Sequence, residues 1–247
     1  MLTQIVNAYV EMSKHSPPVV SKYVCKYCNK SYVRESTLTS HLCELKRRFQ
    51  QEKEQGVQFG YHAYNKFYEF SQPGNKAKTY DDFVRSDFYI AFVKYGRYQV
   101  AIRTVNFASF TQWLLKNNKK LDYWTKEEYY TDWLKSYLQI ESVDDALDRS
   151  FLEMQNYADH ESQTITSFNN YFRNGSKNRI ISHIQSGRIS PWIVYNCASG
   201  IEFLDNLNEE QVDILLPYID PDFWQKKFST HKKDVDWLKT VLSEAGL

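Results

Sequence analysis

The chain has 247 residues, of which 42% are hydrophobic and 25% are charged, and its formal net charge is +1. A chain of this length can bury a sizeable core, and this composition favours neither a wholly disordered protein nor a membrane protein. The nearly balanced charge produces no overall field that would demand a polyanionic partner, so any such partner must be recognised by a local cluster of charges.

The N-terminal segment, residues 1–20, has no apolar run behind a basic stretch and therefore does not predict a secretory signal. Pro17 and Pro18 indicate a linker at the end of this segment. No later stretch approaches the ~18 consecutive apolar residues that a membrane span needs. Three of the four cysteines lie between residues 25 and 43, which favours metal ligation in a reducing compartment. We expect a cytoplasmic protein without membrane contact.

The segment after the linker has the spacing of a metal site. Cys25 and Cys28 form a Cys-x2-Cys pair, whose thiolates can both reach one zinc ion at about 2.3 Å. His41 follows after twelve intervening residues, and Tyr32 and Leu38 lie between Cys28 and His41. This pattern predicts one structural zinc ion.

The same residues, from Tyr23 to Cys43, closely resemble the two-Cys two-His (Cys2His2) zinc finger family. That resemblance implies a small ββα module, in which Tyr32 and Leu38 form a miniature core between a hairpin and a helix. It covers only about twenty residues, but the cysteines, the aromatic residue, the leucine and the histidine match together.

The fourth ligand departs from the family pattern. The family places it four to six residues after the first histidine, where this chain has Leu45, Lys46 and Arg47. Cys43 is the preferred candidate because structural zinc favours sulfur and nitrogen ligands, and Glu44 and His62 are the alternatives. On a regular helix His41 and Cys43 would point in nearly opposite directions, so Cys43 can bind only if the helix is locally unwound.

A basic helix is predicted to follow the finger. Residues 42–55 are rich in helix formers, so we expect the finger helix to continue until Gly56 and Gly60 end it. Between Lys22 and Lys66 there are nine basic residues against four glutamates (Lys22, Lys26, Lys30, Arg34, Lys46, Arg47, Arg48, Lys53 and Lys66 against Glu35, Glu44, Glu52 and Glu54). The finger with this helix, residues 21–56, is the basic part of the chain.

Nucleic acid is one possible partner of this basic part, either DNA or RNA. In the register of the family, the positions that contact bases are Arg34, Ser36, Thr37 and Ser40. Lys46, Arg47 and Arg48 would lie along the phosphate backbone. A single finger contacts only ~3 base pairs, so sequence-specific regulation by it alone is not expected. In the competing hypothesis the finger is a zinc-stabilised element that docks on the helical body or on another protein, and the basic run is an ordinary solvated face.

Residues 57–247 predict an irregular multi-helix domain, so the fold class is mostly α. Helix starts are predicted at Thr125 with Glu128, at Ser142 with Asp145, and before Pro191 and Pro221, where Ser190 and Asp220 are the caps. Gly200 is predicted to end the helix that begins at Pro191. Paired acidic residues are assigned to first turns of helices (Asp81 and Asp82, Asp144 and Asp145, Glu209 and Glu210).

The aromatic content is high at 16%, and it suits either core packing or stacking on nucleic acid. Core packing is favoured because these rings recur at helical spacing, as in the group Trp133, Leu134, Tyr137 and Leu138. Tyr98 to Val105 is assigned to a helix, although its composition also suits a strand. Cys197 is interpreted as a core thiol.

No catalytic constellation is present in the sequence, so we expect a non-enzymatic protein, although a nuclease built from distant carboxylates stays open. No small-molecule substrate is evident. The whole chain resembles a protein family of T4-like bacteriophages, through Tyr23 to Leu38, Ser190 to Asn196 and Phe203 to Asn208. That resemblance implies a virus-encoded protein in a host cytoplasm or a virion.

Together these features predict a zinc-binding accessory protein that contacts nucleic acid or a nucleoprotein partner, with protein contacts made by the helical domain. The alternative is a phage structural or assembly component in which zinc only stabilises the fold.

Overall fold

The computed structural model describes residues 22–160 and 169–247. Over these ranges the fold is mostly α, as predicted, with fifteen α-helices and one two-stranded antiparallel sheet. The N-terminal module consists of β1 (Tyr23–Val24), β2 (Ser31–Tyr32), α1 (Glu35–Ser40) and α2 (Glu44–Gln50). Tyr23 pairs with Tyr32 and Val24 with Ser31, so the predicted hairpin and helix are present. The segment 1–20 and its Pro17-Pro18 linker lie outside the described residues.

The rest of the chain is a packed body of helices. Its elements are α3 (Gln55–Ser71), α4 (Tyr80–Arg85), α5 (Tyr89–Ala101), α6 (Phe107–Lys116), a 3-10 turn (Leu121–Tyr123), α7 (Glu127–Ile140), α8 (Val143–His160), α9 (Asn169–Asn174), α10 (Lys177–Gln185), α11 (Pro191–Asn196), α12 (Ala198–Asp205), α13 (Glu209–Ile219), α14 (Pro221–Thr230) and α15 (Lys232–Glu244). No helix in the described ranges is long and apolar enough to cross a membrane.

The predicted continuous basic helix is wrong. The chain is extended at His41 (ψ 120°) and at Cys43 (ψ 163°), which separates α1 from α2, and α2 ends at Gln50. Gly56 and Gly60 do not end a helix, because both lie inside α3, and the predicted domain boundary between residues 56 and 57 falls within that helix.

These glycines are there because α3 and α5 cross at very short range. A Cβ atom on Gly96 of α5 would lie 2.0 Å from the carbonyl oxygen of Gly56, and one on Gly60 would lie 2.7 Å from that of Phe92. Only glycine lets two helix backbones approach so closely. An ion pair between Arg97 and Glu54 lies beside this crossing, with Nε and Oε1 2.6 Å apart.

Most of the predicted helix starts are confirmed. The hydroxyls of Ser142 and Ser190 and the carboxylate of Asp220 accept hydrogen bonds from first-turn amides, and Pro191 and Pro221 follow their caps directly. The three acidic pairs lie in first turns as expected. Thr125 is not a cap, because α7 begins one residue later, after Lys126. Gly200 lies inside α12, since α11 already ends at Asn196.

Aromatic side chains fill the core. Trp124, Trp192 and Trp224 are fully buried, and Trp192 and Trp224 contact each other edge-to-face with ring centroids 5.9 Å apart. The predicted core group is buried as expected (Trp133, Leu134, Tyr137 and Leu138). Cys197 is buried too. The segment assigned to a helix from Tyr98 is helical to Ala101 and then leaves the helix.

Candidate metal centre

The finger brings four ligand side chains together. One ligand atom from each residue lies within 4.8 Å of the others, and the residues are those of the preferred set, Cys25, Cys28, His41 and Cys43. The Sγ of Cys28 and the Nε2 of His41 are 3.2 Å apart. A tetrahedral zinc ion with ligands at about 2.0–2.3 Å holds its donor atoms about 3.3–3.8 Å from one another. The donor set and its spacing therefore fit a single zinc ion.

The first two ligands come from a tight turn between β1 and β2. The backbone N–H of Cys25 donates to the carbonyl of Lys30, and that of Asn29 donates to the carbonyl of Cys25. Asn29 adopts a left-handed conformation (φ 59°), which asparagine tolerates better than most residues and which reverses the chain under the cluster. A hydrogen bond from the backbone of Cys28 is the main reason that the pKa of Cys25 is lowered, to about 7. Thiolates bind metal, so this lowered pKa favours ligation by Cys25. A hydrogen bond from the Lys30 backbone lowers the pKa of Cys28, but burial and the neighbouring Cys25 and Cys43 outweigh it, so the pKa of Cys28 is raised instead.

The second pair of ligands straddles the break between α1 and α2. The chain is extended from His41 to Cys43, so the two side chains need not point in opposite directions as they would on a helix. Cys43 is also the N-cap of α2, and its Sγ accepts a hydrogen bond from the backbone N–H of Lys46 at 3.4 Å. The local unwinding that ligation by Cys43 required is thus present.

The two alternative ligands are engaged or placed elsewhere. Glu44 forms an ion pair with Arg48, with Oε1 and Nη2 2.5 Å apart. His62 lies exposed on α3 beside Tyr61, outside the ligand cluster. The structure therefore supports Cys43 as the fourth ligand.

Aromatic contacts of α2 dock the finger on the helical body. The Phe49 ring lies between Tyr27 of the finger and Tyr80 of α4, at centroid distances of 5.2 and 6.1 Å. Leu45, one helical turn before Phe49, also packs against the body core. This pair has the i, i+4 spacing of a buried helix face, a signal that was present in the sequence. The prediction of a basic helix over residues 42–55 did not include this apolar face.

Arg48 has a structural role that the sequence did not suggest. Its Nη1 donates to the backbone carbonyl of Val84 at 2.8 Å, and its guanidinium lies over the Tyr89 ring at 4.5 Å. The backbone carbonyl of Arg48 accepts a hydrogen bond from the hydroxyl of Tyr80. Only 15% of its side chain is exposed. Arg48 therefore joins the finger to the body and is a poor candidate for contact with phosphate.

Most of the other residues predicted to contact nucleic acid are exposed, and some of them form hydrogen bonds within the finger. The exposed ones are Arg34, Ser36, Thr37, Ser40 and Arg47. The hydroxyl of Ser40 donates back to the carbonyl of Ser36. The Nζ of Lys46 donates to the carbonyl of His41 at 3.1 Å. This cation is therefore held by a hydrogen bond across the break between α1 and α2, beside the metal cluster. Of the predicted patch of Lys46, Arg47 and Arg48, only Arg47 is therefore exposed, and the other two are half-buried.

Fold and site together define a mostly helical protein with a Cys3His cluster on a docked finger, able to hold one metal ion. A scan of protein-family models, a search of curated proteins and a search of solved structures each returned no match to this chain. The resemblance to a phage family therefore stays a prediction from the sequence.

Proposed function

We propose that this chain is a zinc-stabilised accessory protein whose finger contacts the sugar-phosphate backbone of nucleic acid, while the helical body positions the finger. The observation that carries the proposal is a set of exposed basic residues on the finger (Lys22, Lys26, Lys30, Arg34 and Arg47). A local excess of exposed cations attracts phosphate even when the whole protein is nearly neutral.

The dimensions of the finger favour contact with the backbone over recognition of bases. Helix α1 has only six residues, a length of about 9 Å, and buries none of them. Arg34 and the hydroxyl residues after it are exposed, but one finger contacts only ~3 base pairs. Phosphate contacts position a protein without sequence preference, so we expect similar affinity for many sequences.

Zinc has a structural role in this proposal. Four ligands from the β1–β2 turn and from both sides of the α1–α2 break would be tied to one ion, which leaves no open position for substrate. The ion would fix the hairpin and α1 relative to α2, and α2 is packed on the body.

A protein-docking function is the second candidate, and a specific observation favours it. The finger exposes three apolar side chains, Val24, Val33 and Leu42, which are 53%, 56% and 62% accessible. Exposed apolar residues on a small module suit contact with another protein, as an assembly component would make.

The two functions separate in a salt titration. We expect the zinc-loaded protein to bind random-sequence duplex DNA with a log–log salt slope of about −0.9 for each phosphate contacted. Changing Lys30, Arg34 and Arg47 together to Gln should weaken binding on every sequence and flatten the slope by about two to three units. The matched control changes three exposed lysines of α15 to Gln (Lys232, Lys233 and Lys239) and should bind as the parent does.

Zinc content must be equal in all three proteins before their affinities are compared. If the parent binds neither DNA nor RNA at low salt, or if both triple variants lose affinity equally, the finger is not a nucleic-acid contact. The protein-docking function would then be the better description.

A further inference from the structure

A groove lies between the finger and the helical body. It encloses about 540 Å³, and its described walls come from two helices, α2 of the finger and α5 of the body. On the finger side the wall residues have the i, i+3, i+4 and i+7 spacing of one helix face (Glu44, Arg47, Arg48 and Gln51). On the body side they also share one helix face (Tyr89, Ile90, Val93, Lys94 and Arg97). The groove is therefore lined by one face of each helix.

Contacts between α2 and the body hold the two walls of the groove together. The Arg48 guanidinium lies over the Tyr89 ring at 4.5 Å and donates to the backbone carbonyl of Val84. Phe49 of α2 packs against Tyr80 of α4, with the ring centroids 6.1 Å apart. The groove is therefore already formed without a partner, and a preformed site lowers the entropic cost of binding.

Two exposed cations line the groove, one on each wall. Arg47 on α2 and Lys94 on α5 are both exposed wall residues, and neither forms an ion pair with another described residue. Their neighbours are engaged: Arg48 pairs with Glu44, and Arg97 donates two hydrogen bonds to Glu54, at 2.6 and 2.8 Å. Arg47 and Lys94 are therefore the wall cations whose charge is available to a partner.

An exposed apolar side chain lies beside one of these cations. Ile90 is 65% exposed and precedes Lys94 by one turn on the same face of α5. A small anion would use the cations alone. A nucleic-acid strand alternates charged phosphates with uncharged sugars, and proteins contact both parts of its backbone. The combination of Arg47, Ile90 and Lys94 suits such a strand better than a free anion.

We propose that one strand of nucleic acid lies in this groove, with its phosphates on Arg47 and Lys94 and a sugar against Ile90. The inference rests on the proposed function, because Arg47 belongs both to the basic residues of the finger and to the groove. A strand held by the finger would therefore continue along α5. The helical body then binds the strand directly, in addition to positioning the finger.

A salt titration with single variants tests the groove. Lys94→Gln should weaken binding of the zinc-loaded chain to random-sequence duplex DNA about fivefold and flatten the log–log salt slope by about 0.9, since one phosphate contact is lost. The matched control is Lys239→Gln on α15, a helix that supplies none of the described wall residues. It removes the same charge from an exposed position and should bind as the parent does.

A second variant adds a charge to the groove. Ile90→Asp places a carboxylate beside the strand and should weaken binding at least as much as Lys94→Gln, because like charges repel. Leu152→Asp is its control, since Leu152 is a similarly exposed apolar residue (59%) on α8. Both substitutions are at exposed positions, so the melting temperature should change little in either variant.

Chemical labelling locates the contact without any substitution. Saturating duplex DNA should protect Lys94 from acetylation by an amine-reactive ester and leave Lys239 as reactive as in the free protein. Inorganic phosphate at the same ionic strength should not protect Lys94. Equal protection by phosphate would mean that the groove is a small-anion site.

The outcomes separate the groove from the finger. If the parent binds no nucleic acid, the proposed function and the groove fail together. If the parent binds and the triple finger variant loses affinity, while Lys94→Gln and Ile90→Asp bind as the parent does, the groove is wrong and the proposed function stands. Equal losses in Lys94→Gln and Lys239→Gln, or labelling of Lys94 that DNA leaves unchanged, would also overturn the groove.

Discussion

At the scale of single residues, Cys43 is both a member of the metal cluster and the N-cap of a helix. Its Sγ belongs to the metal cluster and also caps α2 by accepting from the Lys46 amide. Cys197 caps α12 in the same way, accepting from the Gly200 amide at 3.3 Å, but lies in the apolar core. Comparing substitutions of Cys43 and Cys197 therefore separates the effect of metal ligation from the effect of helix capping.

Cys43→Ser should reduce zinc retention about as much as Cys28→Ser, because each removes one thiolate from a four-ligand set. Serine is a good N-cap, so α2 should keep its start and the loss can be assigned to the metal. Metal analysis of untagged protein measures the effect, and the parent should contain one equivalent of zinc. Cys197→Ser, the control, should keep full zinc. Undiminished zinc in the Cys43 variant would mean that another residue is the fourth ligand.

The sequence predicted these ligands because their spacing is local, while the roles of neighbouring residues depend on distant contacts. Cys25, Cys28 and His41 are recognisable within one short segment. Arg48 is not, since its partners Val84 and Tyr89 are more than thirty residues away. The buried amide of Gln99, which has no hydrogen-bond partner among the described residues, is likewise a property of the packed fold and has no sequence pattern.

At the scale of elements, the crossing of α3 and α5 is the closest helix contact described above. Gly96→Ala should destabilise the protein by about 3 kcal/mol, because its Cβ would collide with the rigid backbone of α3. Chemical denaturation monitored by circular dichroism measures this. Gly74→Ala is the control for backbone strain alone: Gly74 has φ 87° and open space around it, so the cost should be about 1 kcal/mol. Equal losses in the two variants would mean that the crossing can relax.

The same crossing shows which helix ends can be predicted from the sequence and which cannot. Caps such as Ser190 with Pro191 depend on hydrogen bonds within one turn, so they are visible locally. A glycine within a helix and a glycine after a helix look alike without knowledge of the neighbouring helix. Gly56, Gly60 and Gly200 were therefore all misassigned as helix ends.

At the scale of the whole molecule, the metal centre and the aromatic core are separate sources of stability. Zinc removal by a strong chelator should unfold the finger and leave the helical body largely intact, because α1 and α2 are two of the fifteen described helices. We expect a small loss of far-UV circular dichroism and a modest drop in melting temperature, as Tyr80 and Tyr89 lose the contacts of α2. Hydrogen exchange should increase over residues 22–50. Global unfolding on chelation would show that the body depends on the metal.

The docking of α2 also restricts how this finger can be reused. Zinc fingers that act in tandem arrays are modules that fold independently of one another and are joined by short linkers. Here the helix that carries the last ligand at its start has Leu45 and Phe49 packed against the body. Cut out after Gln50 and grafted elsewhere, the module would expose an apolar surface and lose its partners. This finger is therefore an integral part of one molecule and unsuited to transplantation.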